Sequence, residues 1–375
     1  MLRLALLYLL LTPLLSSSQE RGFYARNDMS SEEPRYSFGT KKQRSASIDF
    51  GDINNDGLID AVVANGRHWP ETNYIFYNYG KGFNEMTPIG KISATSYATE
   101  LVDLDNDGDL DLLEINDNAP HKIYLNDSKG NFQFHSTVAE ISNARNVALG
   151  DIDNNGYIDF IITNRGQKNI ICYNNGNLKF DCVKLDAKKN STIDIAIKDL
   201  NNDQLPDLVL ANRDNIPNEI FINKGNRKFE KELDFGTGSF ETRSVAIDDM
   251  NNDGYLDIVT GNINGSNSIY LGSKNFSFMT TVAFGANDTD TYSIALADFN
   301  KDGLMDIVTG NYLKPNIVFL NIDGNRFKKI ELTNNSSRTY DIVVVDINSD
   351  GWMDIAEANS DDFNLYYLNI FNQEP

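Results

Sequence analysis

The 375-residue chain has only two cysteines, two tryptophans and three histidines, and its 33 basic residues are outnumbered by 54 acidic ones. Two cysteines limit covalent cross-linking to a single disulfide. The formal net charge of −21 argues against nucleic acid or an anionic membrane as a partner. The one extended apolar run, Leu4 to Leu15, is short for a membrane span. It follows Met1-Leu2-Arg3 and precedes Ser16-Ser17-Ser18, the layout of a secretory signal over residues 1–18. No membrane span is expected, and export to an extracellular, oxidising setting is.

That setting permits a bond between Cys172 and Cys182 without requiring it. The two flank a turn at Asn174 to Asn177, and the simplest register sets Cys172 opposite Lys179, with the sulfurs on opposite faces. A bulge would bring them together, so the pairing stays open.

What the chain has in quantity is aspartate in one arrangement. The pattern Asp-x-Asp/Asn-x-Asp/Asn-Gly-x-x-Asp occurs seven times, at starts 48 to 51 residues apart. Its first position is Asp52, Asp103, Asp151, Asp199, Asp249, Asp298 and Asp346. Its third is Asn54, Asp105, Asp153, Asn201, Asn251, Asn300 and Asn348, and its fifth Asp56, Asp107, Asn155, Asp203, Asp253, Asp302 and Asp350. The seventh, which offers a backbone carbonyl, is Leu58, Asp109, Tyr157, Leu205, Tyr255, Leu304 and Trp352; the ninth is Asp60, Asp111, Asp159, Asp207, Asp257, Asp306 and Asp354. Oxygen donors on alternate residues of a tight loop, turned by a glycine, suit Ca2+, which takes six to eight hard oxygen ligands. Up to seven calcium ions are expected. In the fourth copy Gln204 stands where the others have glycine and Pro206 precedes Asp207, so that site is expected to be the weakest.

A helical EF-hand shares the loop's opening but needs a glutamate at position 12. Here that position is Val63, Glu114, Ile162, Leu210, Thr260, Thr309 and Glu357, and the flanks alternate as strands do. Segments such as Ser47-Ile48-Asp49-Phe50 precede the loops and β-branched runs such as Ile307-Val308-Thr309 follow them, so each loop is the tip of a hairpin. Asn65, Asn116, Asn164, Asn212, Asn262, Asn311 and Asn359 stand five residues after the loops and are expected to end the second strand. Third and fourth strands follow, opened by clusters such as Ile75-Phe76 and by Phe83, Phe132, Phe180, Phe229, Phe276 or Phe327.

Four antiparallel strands on this period make one blade of an all-β propeller, seven blades in all. The last repeat ends without a fourth strand, and Arg35-Tyr36-Ser37-Phe38-Gly39 is expected to supply it and close the ring. Residues 19–34 read as a polar, flexible lead-in and 35–372 as the propeller. The Asp loops and their spacing resemble the FG-GAP or VCBS repeats of integrin-α-like seven-bladed propellers. That resemblance implies the loop lies between the first two strands of a blade, with ions in some blades. The name-giving Gly-Ala-Pro is absent, and Phe-Gly survives at places such as Phe50-Gly51.

Departures from the repeat mark where function is added. The loop Asn65-Gly66-Arg67-His68-Trp69-Pro70-Glu71 holds a cation, an imidazole and one of the two tryptophans. Six residues before the Asp loops stand Ala46, Tyr97, Arg145, Ile193, Arg243, Tyr292 and Tyr340, placed near the channel mouth on the face opposite the hairpins. Arg67, His68, Trp69, Tyr97, Arg145, Arg243, Tyr292 and Tyr340 form the candidate ligand face, suited to an anionic ligand such as an acidic sugar or a peptide carboxylate. The expected function is a secreted adhesion or binding module for a glycan or extracellular protein. The alternatives are a lyase-like enzyme on acidic polysaccharides, with His68 or a tyrosine as base, and a structural scaffold.

Overall fold

The protein is described here from a computed structural model, which covers residues 22–24, 36–185, 190–236, 241–274, 277–278, 280–286, 288–332 and 336–371. The expected signal at residues 1–18 lies outside the described residues. Among those described there are strands and turns but no helix, and no helix long and apolar enough to cross a membrane.

Each Asp loop joins two antiparallel strands, and the chain then turns back twice more. The first unit runs Gln43–Gly51, Asp60–Asn65, Tyr74–Phe76 and Met86–Pro88; the second runs Ser96–Val102, Asp111–Asn116, His121–Leu125 and Gln133–Val138. Thr291–Ala297, Asp306–Asn311, Ile317–Asn321 and Phe327–Glu331 repeat the order late in the chain. Second strands such as Asp60–Asn65 and Asp306–Asn311 are buried along their whole length because a sheet covers each face, which suits their central Val62-Val63 and Ile307-Val308-Thr309. Outer strands such as Phe327–Glu331 are largely exposed, with Phe327 and Ile330 half-buried and Lys328, Lys329 and Glu331 in solvent.

The cores lie between neighbouring sheets. Ile115, Phe160 and Ile162 join the second and third units, and Phe38, Phe76, Ala356 and Tyr366 join the first and last. The inner strand of the first unit, Gln43–Gly51, packs against that of the second and against Arg338–Val345 of the last. It also pairs with Asp354–Asp362 at Gln43↔Asp362 and Arg44↔Ser360.

The outer edge of Leu365–Asn369 is covered in two pieces. Ser37 bridges Leu365, inside the segment expected to complete the last unit. Phe23–Tyr24, within the stretch expected to be a flexible lead-in, pairs with Asn369 and Leu368. The polar composition of residues 19–34 concealed the anchor: the Phe23 ring meets Phe299 and Phe371 edge-on at 5.2 and 5.8 Å.

Cys172 and Cys182 form a disulfide and are directly opposed in the register. The simplest register, Cys172 opposite Lys179, fails because the turn is longer than Asn174–Asn177. Asn177 and Leu178 both take positive φ, and the Asn175 amide donates to the Lys179 carbonyl. The pairing thereby slips three residues, an odd number, which puts both sulfurs on one face.

The strand-ending asparagines are hubs of a buried polar belt. In the first unit the Asn65 amide N–H donates to Asn73 Oδ1, its Nδ2 to the Thr72 carbonyl, and its Oδ1 accepts from Ser45. Asn73 Nδ2 then donates to Ser96, whose hydroxyl donates to Asn116 of the second unit. The links recur through Thr192, Thr242, Thr291 and Thr339, and Asn364 donates to Ser45. In the third unit Ala144 occupies the hydroxyl position, and Asn164 Oδ1 is buried without a partner.

Candidate functional site

The two ends of the inner strands carry different chemistry. At the hairpin end the loop folds on its own carboxylates. Asp52 accepts from the N–H groups of Asp56 and Gly57, Asn54 Oδ1 from Asp56, and Asp56 Oδ1 from Leu58. Asp60 is fully buried and accepts from Ile53 and Asn78. Burial pushes the ninth-position carboxyls up, to about 6 for Asp60, Asp159, Asp207 and Asp257 and to about 7 for Asp111, Asp306 and Asp354.

These residues fit a hard divalent cation. Oxygens of Asp103, Asp105 and Asp111 lie within 4.8 Å of one another, as do those of Asp151, Asp153 and Asp159. Asp153 Oδ1 is buried with no hydrogen-bond partner, while its other oxygen meets Arg227 at 2.7 Å. The other copies carry Asn at position three, whose amide oxygen is also a hard donor. Position six takes φ of +87° to +94° in the five glycine-bearing turns from Asp52 to Asp298, with no atom close enough to need the space. Gln204 takes φ +70° at that position, a conformation that costs a side chain about 1 kcal/mol.

Position four was not singled out in the sequence. It is left-handed in every copy, and in three its side chain reaches the next loop: Asn106 Nδ2 donates to the Gly156 carbonyl at 3.1 Å, Asn154 to Gln204 and Asn252 to Gly303, both at 3.0 Å. The enrichment of Asn there was the available signal.

At the other end each of the seven residues from Ala46 to Tyr340 sits at a β-bulge, between paired positions such as Ser96 and Ala98 or Thr242 and Ser244. A bulge re-aims one side chain. All seven line one cavity of about 260 Å³, with Asp49, Glu100, Asp194 and Asp341 deeper along the same strands.

The irregular loop of the first unit lies beside this mouth. Gly66, at φ +103°, is the one residue type that fits: a Cβ there would stand 2.4 Å from the Trp69 carbonyl and 2.6 Å from that of Ala94. Arg67, also left-handed, donates its N–H to Ser96 of the second unit and stacks its guanidinium 3.8 Å from the Tyr340 ring centre. Arg243 stacks at 4.0 Å on Tyr292 and Arg145 at 4.6 Å on Tyr97. Trp69 is 65% exposed and stands apart from these stacks.

His68 has partners that the sequence did not reveal. Its Nδ1 lies 2.9 Å from Asp117 and its Nε2 2.9 Å from the Tyr97 hydroxyl, and Asp117 also pairs with Arg145 at 2.9 Å. Asp117 follows a strand-ending asparagine, where the other units have Gly66, Arg165, Arg213, Ile263, Tyr312 and Ser360. It is the one acid among them, which was a usable signal. Burial raises the Tyr97 hydroxyl above its ordinary value, so at neutral pH it is protonated. The imidazole is thus held by hydrogen bonds at both nitrogens.

A family model of FG-GAP-like repeats matches residues 52–114, 103–162, 199–260, 249–309 and 302–356, stretches that include all seven Asp loops. The chain belongs to the FG-GAP-like repeat family, and its fold is a β-propeller. Among solved structures it is similar to BBS1N, in a crystal structure in complex with ARL6DN soaked with lead: TM-score 0.61, 9% identity, 93% of this chain and 97% of that one covered. It is also similar to Raptor from Chaetomium thermophilum, with TM-score 0.59 and 13% identity, over 95% of this chain and 29% of that one. At such identities the likeness is one of fold. No curated protein sequence matches it.

Proposed function

We propose that the chain is an exported binding module: a closed, seven-bladed propeller braced by calcium in its Asp loops, which presents the opposite channel mouth to an extracellular protein or glycan. The observation that carries this reading is the ring of seven bulge residues opening on one cavity, with the Arg67–Trp69 loop beside it. Contacts between consecutive inner strands, and between the first and the last, support closure with seven blades. The donor sets and the buried orphan oxygen of Asp153 support calcium. The disulfide and the apolar leader sequence support export. BBS1N is found in complex with a protein, which favours a protein partner over a glycan for this chain.

The test is capture on arrays of extracellular proteins and of glycans by wild type, Arg67→Ala and Trp69→Ala. Loss of capture in both variants with unchanged melting supports the reading. Equal capture by all three forms sinks it. The Tyr97–His68–Asp117 chain motivates a second reading, acid–base action on an acidic polysaccharide. Product formed by wild type and lost in His68→Ala would establish that reading in place of the first.

A further inference from the structure

Among the described residues, Arg67 and Arg243 are the arginines with no carboxylate partner. Arg44, Arg145, Arg165, Arg213, Arg227, Arg326 and Arg338 each pair with an Asp or Glu. In a chain with 54 acidic residues, two unpaired guanidiniums sharing one ring, Tyr340, form a localised surplus of positive charge. The Nε atoms of both are buried without a hydrogen-bond partner. Stacking covers the guanidinium face, and the edge, which recognises a carboxylate, stays unpaired.

The carboxylates deeper in the same cavity differ among themselves. Asp194 accepts from Val245, Ser244, Ile195 and Asn146. Asp341 accepts from Ile48, Ser293 and Ile342, and Asp49 from Leu101. Among the described residues none donates a hydrogen bond to the Glu100 carboxyl. It is surrounded by Asp49, Asp341 and Asp194, which with burial raise its affinity for a proton, or for any cation in a proton's place. Along the strand, Glu100 lies three residues from the bulge at Tyr97, about 10 Å. The cavity therefore holds the unpaired guanidinium of Arg243 at its mouth and, further along another strand, the carboxyl of Glu100, with no ion pair between the two.

We propose that this cavity binds a small zwitterion, its carboxylate on Arg243 and Arg67 and its ammonium on Glu100, with the two charges several ångströms apart as in an ω-amino acid. The inference rests on the reading of the mouth as the binding face. The test is titration calorimetry of the full, calcium-loaded chain with 6-aminohexanoate, hexanoate and hexylamine. 6-Aminohexanoate should bind at least about tenfold more tightly than either single-charge analogue. Glu100→Gln should remove that advantage over hexanoate, and Arg243→Gln that over hexylamine, with Arg243→Lys restoring part of it. Hexanoate binding as tightly as 6-aminohexanoate, or no binding of 6-aminohexanoate by protein with an intact melting transition, overturns the proposal. If 6-aminohexanoate fails while Trp69→Ala still abolishes capture of a macromolecule, the zwitterion is wrong and the binding face stands.

Discussion

The hairpin end and the mouth end of the inner strands are built by the same repeat with opposite policies. At the hairpins the side chains are constant and shape the backbone: Asp52, Asp103 and Asp249 each accept the N–H groups of positions five and six. At the mouth the backbone device is constant, a bulge in every unit, and the side chains it holds range from Ala46 to Arg243. Where a repeat fixes both, it is structural. Where it fixes the scaffold and frees the side chain, it offers a site.

The largest expected effect separates the two ends directly. If the loops hold calcium as proposed, excess chelator should lower the melting temperature by on the order of 10 °C or more, because ions bound to the folded loops and not to the unfolded chain stabilise the fold. Arg67→Ala and Trp69→Ala should leave that response intact, and a melting curve indifferent to chelator would remove the calcium assignment. Next comes Gly66→Ala, in which the new Cβ meets two carbonyls at 2.4 and 2.6 Å. It should cost about 3 kcal/mol in denaturant unfolding and displace Arg67, with calcium affinity unchanged.

The ends should also respond to pH with opposite signs. Burial holds Asp49 and Asp341 at about 6, so their contribution to stability is full below pH 4 and is lost as pH rises through 6. The Asp loops must be ionised to hold calcium and weaken as pH falls. Asp341→Asn should therefore flatten the melting profile between pH 4 and 6 in chelator; an unchanged slope would contradict the burial argument. The smallest effect is Gln204→Gly, which relieves the strained turn at φ +70° and should add about 1 kcal/mol while tightening the fourth site in a calcium titration.

The hairpins were legible in the sequence because the loop fixes residue types at a fixed spacing, each Asp accepting the turn's own N–H groups, and the strands because their flanks alternate. The mouth residues were locatable by counting back from each loop, yet their means of convergence was not: a bulge leaves no residue signature in strands as different as Ala144–Gly150 and Thr291–Ala297. Asp117 escaped because its partners, His68 and Arg145, are 49 and 28 residues away. The cysteine register was lost to the Asn177–Leu178 turn, since leucine gives no sign of the positive φ that Leu178 adopts after Asn177. Phe23–Tyr24 vanished into a polar neighbourhood that says nothing about pairing.

The buried asparagine belt bears on how such a molecule can change. Every link but the one into the third unit takes an amide from one unit and a hydroxyl from the next, so a unit lifted from one position brings only half of each joint. The third unit shows the result of a mismatched joint: His121 in place of the amide turns to Ser142, Ala144 offers no hydroxyl, and Asn164 Oδ1 goes unanswered. Units of this propeller are thus not freely interchangeable. A transplanted unit keeps its stability only when the neighbouring half-joints travel with it.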